Sequence, residues 1–121
     1  FVTLPTEDAE KARKFYEEVL GLQFLKQWGS LPAYEFDTDN LTIAVMQSEA
    51  FGQKFQPNPF PVEFQVGDFH AAKAELESRG VEFVGDPIDS GVCHQAFFKD
   101  PDGNMLAIHQ RYAEGVPPAA A

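Results

Sequence analysis

Apolar and polar residues alternate over Val2–Leu4, and again at Val62, Phe64 and Val66. That period of two predicts two short, half-buried strands. Each pattern runs into an aspartate, Asp8 and Asp68, and the period then changes. Ala9, Ala12, Phe15, Tyr16, Val19 and Leu20 fall on one helical face, with Glu10, Lys11, Arg13, Lys14, Glu17 and Glu18 mostly on the other. After Asp68 the stripe is Phe69, Ala72 and Leu76. Both aspartates suit a helix N-cap, where a carboxylate accepts from free amides of the first turn. Gly21 and Gly80 predict the helix stops, and Gln23–Trp28 and Val81–Val84 restart as strands.

These parallels are a duplication. The segment 1–8 lies on 61–68 at an offset of 60, and 37–45 lies on 100–108 at an offset of 63. In the second match each copy is a tight polar turn between two strands, with Pro101 and Gly103 making the later turn explicit. Two matches in the same order argue against coincidence. Each half therefore reads strand, helix, three strands, and the fold class is α+β: one domain of two tandem βαβββ modules, about 1–48 and 61–112. The stretch 49–60, rich in Phe, Pro and Gln, is the linker, and the tail 113–121 is predicted to be disordered.

Composition narrows the function classes. The 121 residues include twelve Phe, and 44% of the chain is hydrophobic, enough for a core without staples. Nineteen acids face nine bases, a net charge of −10 with no basic stripe, so nucleic acid is excluded as an expected partner. One cysteine, Cys93, allows no intrachain disulfide and fits a reducing, cytoplasmic location. No apolar run approaches the roughly 20 residues that span a bilayer, and no membrane is expected as a partner. No signal peptide is visible, and the start at Phe1 reads as if residues precede it. Gly-rich phosphate loops, nucleophile elbows and paired zinc motifs are absent from the sequence.

The stretch Thr3–Asp8, the pairs Phe15-Tyr16 and Leu20-Gly21-Leu22, and Phe98-Lys99-Asp100-Pro101-Asp102-Gly103-Asn104 together resemble the vicinal oxygen chelate superfamily. That group holds glyoxalase I, extradiol dioxygenases, fosfomycin-resistance and bleomycin-binding proteins, and the resemblance runs from Phe1 to about Tyr112. It implies half-sheets curled into cups with helices on the convex face, pairing within a chain or between two, and a homodimer for a single-domain member. It also implies a divalent metal held by His, Gln or Glu on the first and last strands of each module. In this sequence those positions are Phe1, Ala44, Pro61 and Ala107. A divalent ion needs lone pairs at roughly 2.0–2.5 Å, and these side chains have none to give. The expectation is a protein with no metal and no other cofactor, in which typical glyoxalase or dioxygenase activity is not foreseen.

Strand alternation then assigns a lining to the cup. If Val2 and Leu4 face the helices, Thr3 faces inward, as do Glu63 and Gln65. Cys93, Gln95 and Phe97 share a face opposite Ala96 and Phe98, and Met105, Ala107 and His109 follow on the last strand. Matching Phe97 to the first module adds Tyr34, with Thr42 and Met46, and Trp28 is taken as an aromatic wall. This mixed lining suits a small organic ligand. The sequence therefore predicts a metal-free binding protein, the alternative being an enzyme of the same fold with an atypical site around His109, Glu63 and Gln95. His109 and Glu63 would form a proton-transfer pair if they meet. His94 and Cys93 point to opposite faces, His70 reads as exposed among helix charges, and Cys93 as a small buried hydrophobe.

Overall fold

In the computed structural model, which describes residues 1–113, the strand–helix–three-strand order predicted for each half is present twice. The first half contains β1 (Val2–Thr6), α1 (Ala9–Lys14), β2 (Gln23–Gln27), β3 (Ala33–Asp37) and β4 (Thr42–Gln47). The second contains β5 (Val62–Gln65), α2 (Phe69–Ser78), β6 (Phe83–Asp89), β7 (Cys93–Lys99) and β8 (Met105–Arg111). The tail predicted to be disordered lies outside the described residues from position 114 on. Among the described residues no helix is long and apolar enough to cross a membrane.

The chain forms two compact units. One holds Phe1–Phe60 and takes in the turn Asp100–Asn104; the other holds Pro61–Lys99 and resumes at Met105. Each unit carries a four-stranded mixed sheet, ordered β1-β4-β3-β2 in the first and β5-β8-β7-β6 in the second. In each, the outer parallel pair is β1 with β4 or β5 with β8, and the remaining contacts are antiparallel.

Both helices begin as the capping argument requires. Asp8 Oδ1 accepts from Lys11 N at 3.2 Å, and Asp68 Oδ1 from Ala71 N at 3.0 Å. A second device repeats with them. Gln47, at the end of β4, accepts from Ala9 N at 3.2 Å; Gln110, on β8, accepts from Phe69 N at 2.7 Å. The two glutamines are 63 positions apart, the offset of the strands that carry them, so the duplication extends to the side chains that seat the helices on the sheets. Beyond Lys14 the first helix widens into a π-turn over Phe15–Val19, with Leu20 N donating to Phe15 O at 3.0 Å.

The helices cover one face of their sheets. In the first unit Leu4, Phe36, Ile43 and Val45 meet Ala9, Ala12 and Tyr16, all buried. In the second, Ala96, Phe98, Leu106 and Ile108 lie under Phe69 and Leu76. The predicted assignment of Leu4, Ala96 and Phe98 to the core holds, and it leaves the alternate residues on the open face of each sheet.

Candidate functional site

Register fixes what the open faces display. On the second sheet one rung runs Glu63, Ala107, Phe97, Val84; the next runs Gln65, His109, Gln95, Ile88. Met105 and Cys93 extend the same face at its two ends. Thus Glu63, Gln65, Cys93, Gln95, Phe97, Met105 and His109 share one surface of one sheet. Cys93 is half-buried rather than enclosed, because it stands on the last rung of the β7–β8 ladder opposite exposed Arg111.

The polar groups on this surface pair differently from the expectation. Glu63 Oε1 accepts from Gln95 Nε2 at 2.7 Å, spanning Ala107 diagonally. Among the described residues no hydrogen bond joins Glu63 to His109, so the anticipated proton-transfer pair is not made. Gln95 stands on the same rung as His109 and one strand further from β5, and its amide, crossing the methyl group of Ala107, is the group that meets the carboxylate.

On the first sheet the rungs are Thr3, Ala44, Glu35, Lys26 and then Pro5, Met46, Ala33. Trp28 joins the second of these through its amide, which donates to Ala33 O at 3.0 Å. Thr3, Thr42, Met46 and Trp28 therefore share the face of the sheet turned away from α1. Tyr34 does not. It sits on the helix face, its hydroxyl donating to Glu10 of α1 and the Arg13 guanidinium 5.3 Å from its ring centroid. The hydrogen bond to Glu10 raises the Tyr34 hydroxyl above its ordinary value.

The displacement of Tyr34 has a simple cause. Asp37 pairs with Thr42 around a four-residue turn, whereas Lys99 pairs with Met105 around five. The offset of 63 valid on β4 and β8 therefore drops to 62 on β3 and β7, where Phe36 answers to Phe98. The inward counterpart of Phe97 is Glu35, and a slip of one residue exchanges the faces.

Glu35 is the residue that sequence reasoning missed. It is 8% exposed, with Oε2 accepting from the indole Nε1 of Trp28 and lying 3.9 Å from Lys26 Nζ. A bulge at Leu25 makes this possible: Phe24 pairs with Phe36, but Lys26 rather than Leu25 faces Glu35. Without the extra residue, Leu25 would stand beside the carboxylate and Trp28 would turn toward α1. The edge strand β6 is bulged as well, between Val84 and Ile88, around Gly85 in the left-handed region.

A second cluster forms behind the second sheet. His94 stacks on Tyr112 at 4.4 Å and on Phe69 at 5.2 Å, and the exposed His70 ring lies 5.2 Å away. Tyr112 donates to Asp89 Oδ1 at 2.6 Å, and that bond, with help from Gly91 N and His94, holds the Asp89 carboxyl below its ordinary value. His70 is thus exposed, as expected, but in ring contact.

The positions where the resemblance calls for metal ligands do not fit an ion. Ala44 and Ala107 are fully buried with only a methyl group to offer, and Phe1 and Pro61 are exposed carbon. Among the described residues no three His, Cys, Asp or Glu side chains gather in a way that could hold a metal.

Comparison with known proteins agrees with the fold. A family model described as "Glyoxalase/Bleomycin resistance protein/Dioxygenase superfamily" matches residues 1–108. A probable lactoylglutathione lyase of Vibrio parahaemolyticus is 29% identical, over 85% of this chain and 83% of its own length. The lactoylglutathione lyase of Schizosaccharomyces pombe is 28% identical over 84% of this chain, which spans only 43% of that longer relative. Among solved structures, TnmS3, an antibiotic binding protein from a Streptomyces species, superposes with a TM-score of 0.75 at 26% identity, covering 91% of this chain and 92% of that one.

Proposed function

The chain belongs to the glyoxalase/bleomycin resistance protein/dioxygenase superfamily, and from that premise we propose that it is a binding member that takes up a small organic molecule on the open face of a sheet, without a divalent metal. The observation that carries this reading is the exchange of donors for carbon at Phe1, Ala44, Pro61 and Ala107 while the adjoining strand positions keep Glu35, Trp28, Glu63 and Gln95. A Lewis-acid mechanism needs lone pairs at fixed corners. Binding an organic molecule needs apolar area with a few polar tips, which these faces supply. The antibiotic-binding relative supports the same direction. The lone, half-buried cysteine suits a reducing compartment, and a cytoplasmic location is part of the reading.

A second reading, an enzyme with an atypical site, has one observation in its favour: Glu63 and Gln95 do meet. Two measurements separate them. Elemental analysis of the purified protein is expected to find well under one Zn, Ni, Mn or Fe per chain, and no turnover of the hemithioacetal of methylglyoxal. A thermal-shift screen is expected to yield small organic ligands that raise the melting temperature, because a ligand held only by the folded state stabilises it, by about 2.7 kcal/mol at a hundredfold excess over Kd. One equivalent of metal, or turnover, would overturn the reading.

Association into a homodimer belongs to the same proposal. Val84 and Ile88 stand exposed on the open face of edge strand β6, at 48% and 47%. Apolar side chains on an unpaired edge invite a partner. Light scattering is expected to report twice the chain mass; a monodisperse monomer at working concentration would count against it.

A further inference from the structure

The first sheet's open face carries a group of side chains that the reading above leaves unspecified. Glu35 lies in the middle of the sheet with its side chain 11% accessible, and its two close contacts, Trp28 Nε1 and Lys26 Nζ, both fall on Oε2. Oε1 carries neither. Trp28 stands beside it in contact with two further rings, Phe1 at 6.3 Å and Phe51 at 6.2 Å, each within a few degrees of perpendicular to the indole. All of these residues belong to the first unit.

Each element of this arrangement has a cost that packing alone does not explain. A carboxylate drawn into a sheet gives up hydration and needs a positive partner. The partner present is a lysine ammonium 66% exposed and 3.9 Å away, a loose contact of the kind worth little in water. The β2 bulge that puts Lys26 and Trp28 on this face also sacrifices a ladder position and leaves Leu25 43% exposed. An indole that touches a carboxylate and carries two further rings at right angles to it offers what an organic cation prefers: the rings attract positive charge through their quadrupoles, and the carboxylate neutralises it. The net charge of −10 draws cations toward the whole molecule.

We propose that Glu35, Trp28, Phe1 and Phe51 form a recognition site for an organic ammonium group, with the cation against the indole and its charge directed at Glu35 Oε1, Lys26 yielding its place. The inference rests on the binding reading and names the class of ligand. Lys26 is then a competitor that holds the carboxylate until the ligand arrives. A neutral or anionic molecule of the same shape lacks the interaction that displaces it.

Trp28 is the single tryptophan of the chain, so its fluorescence reports on this site alone. The probes are benzyltrimethylammonium, benzyl alcohol and benzenesulfonate. Saturable quenching by the ammonium is expected, at least roughly tenfold tighter than by benzyl alcohol, with none by the sulfonate. Glu35→Gln is expected to weaken the ammonium roughly tenfold and leave benzyl alcohol unchanged. Lys26→Ala is expected to tighten it about threefold, and this exposed position decides the matter should the Glu35 variant fold poorly. The proposal falls if the ammonium does not quench saturably below about 10 mM, if it binds no better than benzyl alcohol, or if neither substitution moves it. Should neutral or anionic compounds raise the melting temperature while the ammonium does nothing, this inference fails and the binding reading stands. If no compound of any charge binds, both fail.

Discussion

Replacing Asp100 by Ala is expected to remove about 3–5 kcal/mol of folding stability, a large share of the 5–15 kcal/mol that holds a typical domain. The carboxylate is an acceptor for four donors. Oδ1 takes the amides of Asp102 and Asn104 at 3.0 and 2.9 Å; Oδ2 takes the Tyr16 hydroxyl at 2.7 Å and Asn104 Nδ2 at 2.8 Å. Tyr16 and Asn104 are fully buried, so in the alanine variant water does not replace what is lost, and each buried donor left alone costs about 1–3 kcal/mol. Asn104 keeps its bond to Pro5 O at 2.8 Å, which limits the sum. At roughly 4 °C per kcal/mol the melting temperature should fall by about 12 °C or more. Asp100→Asn, which preserves one acceptor, should fall between the two. A loss below about 1 kcal/mol in urea unfolding would show that the turn rearranges to satisfy its own donors.

The same carboxyl makes stability depend on pH. Burial raises the Asp100 carboxyl above its ordinary value, and the bonds from Asn104 and Tyr16 pull it partly back. A folded value above the unfolded one means that the protonated acid favours folding. That contribution is complete below the unfolded value and is lost as pH rises through the folded one. Asp100 therefore stabilises the fold less when ionised than when protonated, and its four donors are what make the charge tolerable at neutral pH. Burial and the neighbouring Asp100 carboxylate also push the Tyr16 hydroxyl well above its ordinary value, so it remains a donor at every physiological pH.

Phe36→Ala should cost about 3–5 kcal/mol by a different route, an apolar cavity. The ring is fully buried, 5.8 Å from Tyr16 and 5.9 Å from Phe24, and faces Ile43 across the ladder. Little can collapse into the space, since its neighbours are fixed by the strands and by α1. Phe97 provides the control. It has the same chemistry, but it lies half-buried on the open face, and Phe97→Ala should cost less than half as much. Equal losses in urea unfolding would mean that the open face is as tightly packed as the helix face, and the division of the sheet into two kinds of surface would be wrong.

How much of this was legible in the sequence follows from which interactions are local. The caps at Asp8 and Asp68, the apolar stripes of α1 and α2 and the alternation on β7 and β8 depend on neighbours a few positions away, and all were readable. Alternation suffices to group Cys93, Gln95, Phe97, Met105 and His109 on one face of the second sheet because its strands keep one phase from Cys93 to His109. The first sheet is legible only through its match to the second, and one extra residue in the later hairpin turn suffices to exchange Tyr34 for Glu35. The β2 bulge was invisible for the same reason: nothing in Phe24-Leu25-Lys26 announces which residue is left unpaired. The meeting of Glu63 with Gln95, 32 positions apart, and of Tyr16 with Asp100, 84 apart, depends on the closed fold. The sequence supplied the partners' chemistry without their proximity.

The turn from Asp100 to Asn104 is written late in the chain and used early in the fold. Besides binding Tyr16 and Pro5, it accepts at Asp102 from the Thr6 hydroxyl at 2.6 Å and from Glu7 N at 2.8 Å, and its Asn104 accepts from Asn58 N at 2.7 Å. A nascent chain that has emerged only as far as Phe60 already contains every strand of the first sheet, yet lacks the five residues that quiet its buried hydroxyls and amides. The ancestral half has therefore surrendered its independence: a fragment ending in the linker inherits the sheet without its keystone, and the first unit reaches its final form only once residues 100–104 have been made.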